Sequence, residues 1–317
     1  MNLKINPEWL LQMAEQEGNG VFSVGGLVTR VKAKPTLKMV EWSKSFPISA
    51  MRKLRFSLSE GVSDAVALLD FFNVPSPQAW EEKWNAAPVA FRQTQVIDAR
   101  EEAVSAWVRE AELVAEQIQL MEFDEDKLRA SLNELRRLTR EDANDALSQA
   151  QVICSHCGVA LVLVPELPRT RISGCARWLS NKHAMVGLTP RYKSGEQLWF
   201  TFFHEVAHIL LHRDRQSFVV DNAVGEMGDD VVDTGMAEYE AEANRFAADT
   251  LIPPEELAKL PLDNSDELTN ELIQDFAESI GIHPGIVIGR LQHDKILEQW
   301  KGNKLKQKLE WGFVTEE

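Results

Sequence analysis

"WFTFFHEVAHILLH", Trp199 to His212, sets two histidines and a glutamate inside one of the most apolar stretches of the chain. Apolar residues surround the pattern on both sides, so the segment reads as a buried helix, and a buried helix has no reason to carry three polar side chains without a task for them. On a helix, His204 and His208 stand one above the other on a single face, and both imidazoles can approach one metal ion. Glu205 lies about 100° further round, free to act on a water without competing for the metal. Zinc suits such a site, because it favours imidazole and keeps one position open for water in catalytic centres. Trp199, Phe200, Phe202, Phe203, Ile209 and Leu210 would keep the surroundings dry.

A third ligand is required. His212 continues the i+4 series, but one rigid helix rarely supplies three ligands to a tetrahedral ion. A carboxylate from another helix fits better. The segment "MAEYEAEANRFAADT" offers Glu238, Glu240 and Glu242. Glu240 is preferred because Asn244 follows one helical turn later and could hold the far ring nitrogen of a metal-bound histidine. Ala241, Ala243, Ala247 and Ala248 would let this helix pack closely on the first. Cys175, after Ser173-Gly174 on a predicted strand, is a candidate cysteine switch, a thiolate able to occupy the open zinc position. Cys154 and Cys157 read as helix-end residues. Tyr192, Tyr239 and His212 are candidates for stabilising an oxyanion.

Around the motif the hydrophobic period divides the chain. Helical spacing accounts for "NPEWLLQMAEQEG" and for most of residues 48–157, while "FSVGGLVTRVKAKP" reads as a loop or weak strand. "VALVLVPELP" is a short β-branched run, and "TRISGCARWL" with "HAMVGLTP" reads as a hairpin. The edge of the first hairpin strand could receive an extended peptide. Helices are expected at 196–212 and about 236–250, with an acidic, glycine-containing linker between them. Two more follow, separated at Gly281 and Pro284. The expected organisation is an N-terminal segment over 1–41, a helical region over 42–145, a core over 146–258 and C-terminal helices over 259–317.

The 317 residues carry a net charge of −15 and 44% hydrophobic residues. That is the balance of a globular protein, and its acidity repels nucleic-acid phosphate. Residues 1–60 are the exception, with nine Lys/Arg against five Glu. No apolar run nears the roughly 20 residues that span a bilayer, and the N-terminus lacks the pattern of a signal peptide. Three cysteines suggest no disulfide framework. A cytoplasmic location without a membrane partner is expected.

"FFHEVAHILLH", followed by "EYEAEANRFAADTLIPPEEL", resembles the ImmA/IrrE family of metallopeptidases. The likeness extends loosely over about 42–300, where the helical region is similar to antitoxin-like regulators. It implies an α+β fold with a zincin-like metallopeptidase core, a small mainly antiparallel sheet plus active-site helices. It also implies Zn2+ on His204, His208 and Glu240, with Glu205 as general base. The implied activity is site-specific cleavage of a helix-turn-helix transcriptional repressor in a stress or mobile-element response. The alternative is a non-catalytic, antitoxin-like binding protein with a structural or vestigial zinc site. Regulator-like relatives carry a helix-turn-helix of about 60 residues before the tryptophan that matches Trp42. Only some 40 residues precede it here, with Gly25-Gly26 among them, so direct DNA binding is doubtful. "FAESIGIHPGIVIGRLQHDK" suggests two short helices for packing or substrate docking rather than DNA contact.

Overall fold

The computed structural model describes residues 35–85, 100–170, 172–189, 194–213 and 234–309, and the backbone of 21–24, 27–30 and 219–221. The helix expected at 6–18, Gly25-Gly26, Tyr192 and most of the acidic linker, 222–233, lie outside the described residues.

The chain divides into two compact units. The first holds the hairpin of β1 (Val21–Val24) and β2 (Leu27–Arg30) and four short helices: α1 (Leu37–Ser43), α2 (Ile48–Lys53), α3 (Asp64–Phe72) and α4 (Pro77–Asn85). Most of α5 (Glu101–Ala115) belongs to it as well. Local signals set these elements. Thr36 Oγ1 accepts from the Met39 N–H at the start of α1, and Ser76 Oγ accepts from Ala79 N–H ahead of Pro77. Asn73, left-handed at φ 50°, ends α3. An aromatic cluster forms the core: Phe46 packs on Trp42, Phe72 and Trp80, and Phe72 packs on Trp84. Glu110 is a structural acid here. Burial pushes its carboxyl up, opposed by bonds donated from the backbone and hydroxyl of Ser57.

The second unit is a small sheet with helices around it. Helices α6 (Glu125–Arg137) and α7 (Ala143–His156) belong to it, together with the C-terminal helices. Asp124 and Asp142 cap the two with side-chain oxygens. At the end of α7, Gly158 turns the chain at φ 80°, and a Cβ there would lie 2.4 Å from the Phe123 backbone, so only glycine fits. The chain then enters the sheet, in which β3 (Val159–Leu163) runs parallel to β5 (His183–Leu188), and β4 (Gly174–Ser180) runs antiparallel to β5. The fourth strand, β6 (Val219–Asp221), lies antiparallel to β4, giving the order β3-β5-β4-β6. The fold is α+β, and among the described residues parallel pairing is confined to β3 and β5.

β6 corrects one expectation. The β4 edge proposed for peptide addition is covered over Gly174–Ala176 by the chain's own β6, through the register Gly174↔Asp221, Cys175↔Val220 and Ala176↔Val219.

Helix α8 (Gly195–Leu211) carries the opening motif and packs on β4, β5 and the following long helix, α9 (Thr234–Leu251). Trp199, Phe202, Phe203, Val206 and Ile209 of α8 are buried with Leu161, Val186 and Leu188 of the sheet. Two arginines of α6 tie down the C-termini of the pair: Arg129 donates to the Leu210 carbonyl and Arg136 to the Leu251 carbonyl. Cationic donors there satisfy orphan carbonyls and oppose the helix dipoles. Leu251 and Pro253-Pro254 end α9, and α10 (Pro254–Leu257), α11 (Asn270–Ile280) and α12 (Pro284–His293) complete the unit. Gly281, at φ 74°, separates the last two helices.

Candidate metal centre

α8 and α9 meet along a seam of small residues, with Ala243 and Ala247 fully buried. On α9 these two lie between two flanks, one carrying Glu240 and Asn244, the other Tyr239 and Glu242. The first flank faces His204 and His208. The Nε2 atoms of the two histidines lie 3.0 Å apart, with Glu240 Oε2 3.1 Å from His204 Nε2 and Oε1 3.6 Å from His208 Nε2. Among the described residues these three form the one group able to hold a metal ion.

The donor set fits zinc. Tetrahedral coordination at zinc–nitrogen and zinc–oxygen lengths of roughly 2.0–2.2 Å sets donor atoms about 3.3 Å apart. The observed separations bracket that spacing. Charge states agree as well. Burial, first of all, pulls His208 down to about 4, so its imidazole is neutral at pH 7. Burial alone would raise Glu240, but the adjoining imidazoles of His204 and His208 outweigh it and hold the carboxyl at about 2. A neutral His208 imidazole and an ionised Glu240 are ligand states that a divalent ion requires.

Residues 173–284 match the model of Peptidase_M78, the IrrE N-terminal-like domain. This segment is similar to that domain. The match supports metallopeptidase chemistry in general, and no curated protein matches the chain. No described helix is long and apolar enough to cross a membrane.

Within the matched segment, Glu205 is completely buried. It lies against β4 at Gly174, where a Cβ would come within 2.8 Å of Glu205 Oε1. The glycine is what lets the strand and the acid approach so closely. Asn244 reaches His204, its Oδ1 2.9 Å from Nδ1, and as an acceptor it takes the Nδ1–H and leaves Nε2 bare.

The structure separates the remaining candidates. Glu238 is exposed, and neither it nor Cys175 belongs to the donor group. Cys175 is buried on β4, but alternation along the strand puts it on the face opposite Gly174, away from Glu205. The switch reading therefore finds no support in this arrangement. Cys154 and Cys157 sit buried at the end of α7 with thiols pushed up by burial, as small core residues. Tyr239 packs edge-on against the His212 ring, with centroids 4.7 Å apart.

His212 has contacts that the spacing argument missed. Its Nδ1 lies 2.8 Å from His208 Nδ1, and its Nε2 lies 3.1 Å from Glu242 Oε2. The i+4 recurrence from His208 is the available signal, but it points to metal ligation or oxyanion stabilisation and not to a contact with His208. Glu242 stands in the sequence only as an alternative carboxylate ligand, with no signal that pairs it with His212.

Proposed function

We propose that this chain is a zinc-dependent endopeptidase that cuts a helix-turn-helix transcriptional repressor at one site, in a stress or mobile-element response. The reading rests above all on one observation: two imidazole nitrogens and a carboxylate converge at ligand spacing, one residue along the helix from a buried Glu205. His204, His208 and Glu240 would hold the ion. Zinc, when bound, supplies a Lewis acid for the scissile carbonyl and lowers the pKa of water. Glu205 accepts the water's proton as general base and returns it to the leaving amine as general acid. Packing of α8 against the sheet keeps bulk water from that carboxylate. Asn244 holds His204 with its Nδ1 protonated. The family resemblance supports the substrate class, and the net charge of −15 favours a protein over a nucleic acid as the partner.

The test is mass spectrometry of the protein encoded by the neighbouring gene, after incubation with the zinc-loaded chain and with its Glu205→Gln variant. One new pair of fragments from the wild type alone is the expected result. A repressor that forms a complex and stays whole with both proteins would replace this reading with that of a non-catalytic binding protein.

A further inference from the structure

The structure assigns to His212 and Glu242 a positioning role: together they fix the tautomer and ring orientation of His208, and through it the affinity for the metal. The inference rests on reading His204, His208 and Glu240 as the metal site.

The argument is one of proton placement. A 2.8 Å contact between His208 Nδ1 and His212 Nδ1 needs one hydrogen between the two nitrogens. At the far side of the second ring, His212 Nε2 faces the Glu242 carboxylate at 3.1 Å. A carboxylate only accepts, so this nitrogen carries the hydrogen and donates. A neutral His212 with hydrogen on Nε2 has a bare Nδ1, which can only accept. His208 must then be protonated on Nδ1 and donate. That leaves His208 Nε2 with its lone pair directed at His204 and Glu240, the state that ligates a metal. With His212 neutral, the opposite tautomer of His208 would place a bare His212 Nε2 against the carboxylate, two acceptors at hydrogen-bond distance.

Packing holds the relay in place. His212 is only 7% exposed, and the Tyr239 ring closes on it edge-first. Tyr239 and Glu242 lie one helical turn apart on α9 and grip the same imidazole. Helix α9 thus serves both ligand histidines, His204 directly through Asn244 and His208 through Glu242 and His212. Glu242 itself is half-exposed, so its substitution leaves the core intact.

The experiment titrates zinc into the metal-free full chain against a chromogenic chelator, for the wild type, His212→Ala, Glu242→Ala, Glu242→Gln and the double alanine variant. His212→Ala should weaken zinc binding about 10–100-fold, the range for losing a group that orients a metal-bound histidine. Glu242→Ala should weaken it less. Glu242→Gln, whose amide oxygen still accepts, should stay near the wild type. The double variant should bind no worse than His212→Ala, because Glu242 acts through His212. Nitrogen-15 NMR of the metal-free protein supplies the signature a merely structural role would not move: His208 Nδ1 protonated in the wild type and mixed tautomers in Glu242→Ala. If His212→Ala does not fold, the Glu242 pair and the NMR signal decide. Zinc binding by the wild type with equal affinity in every variant, or an unaltered His208 tautomer, would overturn the relay alone. A wild type that binds no zinc would overturn the metal reading beneath it.

Discussion

A methyl group on Gly174 would lie 2.8 Å from Glu205 Oε1 and 3.0 Å from Glu205 Cγ. Strand β4 and the Glu205 side chain therefore sit in contact, and the absence of a side chain on Gly174 defines where the carboxylate rests. Gly174→Ala should displace Glu205 and leave the three metal ligands in place. Cleavage should fall by about 10–100-fold, a fraction of the 10²–10⁴ that general acid–base catalysis supplies, while zinc stoichiometry stays unchanged. Rates from repressor cleavage set beside zinc titrations check the split; a loss of zinc in step with activity would count against it.

Glu240 brings the only negative charge to the donor group. Glu240→Ala leaves two neutral imidazoles, and stoichiometric zinc binding should be lost under conditions where the wild type is saturated. Glu238→Ala, on the exposed side of α9, should bind as the wild type does. Metal analysis after gel filtration distinguishes the two.

Acid should destabilise the metal-free protein through this site. His208 is depressed to about 4 from 6.5, so between those values the unfolded chain binds the extra proton and stability falls as pH falls. Glu240 is depressed to about 2 from 4.5, and its contribution, present above 4.5, is lost as pH falls towards 2. One group can contribute a slope of at most about 1.4 kcal/mol per pH unit. Urea unfolding at pH 6.5, 5.5 and 4.5 should show a shallower pH slope for His208→Gln than for the wild type. Equal slopes would show that His208 is not held neutral by burial.

Ala247 lies at the seam between α8 and α9 with no exposed surface. Ala247→Leu must push the helices apart, at a cost of about 1–3 kcal/mol for overpacking. Because Glu240 rides on α9, zinc affinity should fall with it. Phe203→Ala, at a fully buried position of α8, should cost about 3–5 kcal/mol and leave zinc affinity much closer to the wild type. Paired unfolding and zinc titration of the two variants test whether the seam, rather than stability in general, governs the site.

Much of this was legible in the chain itself. The i+4 spacing of His204 and His208, the Gly281 and Pro284 breaks and the Ser76-Pro77 helix start act within a turn or two of backbone. Each implies its local structure almost regardless of the rest of the fold. Glu240 was legible as a preference because Asn244 is its neighbour on the same helix face. His212 and Glu242 were not, since they are 30 residues apart and meet only when α9 crosses α8. The same holds for Cys175, whose direction depends on which face of β4 receives α8, and for the β4 edge, which β6 covers from some 45 residues away.

By itself, then, the sequence determined that a buried helix presents two imidazoles on one face with an acid beside them, because helical periodicity is a short-range property. Only the tertiary structure decided which acid closes on the two imidazoles, which ring meets His208 Nδ1 and where the strand meets Glu205. Those outcomes depend on how α8, α9 and β4 pack, and packing is set by the buried alanines and glycine at their crossings rather than by any single segment.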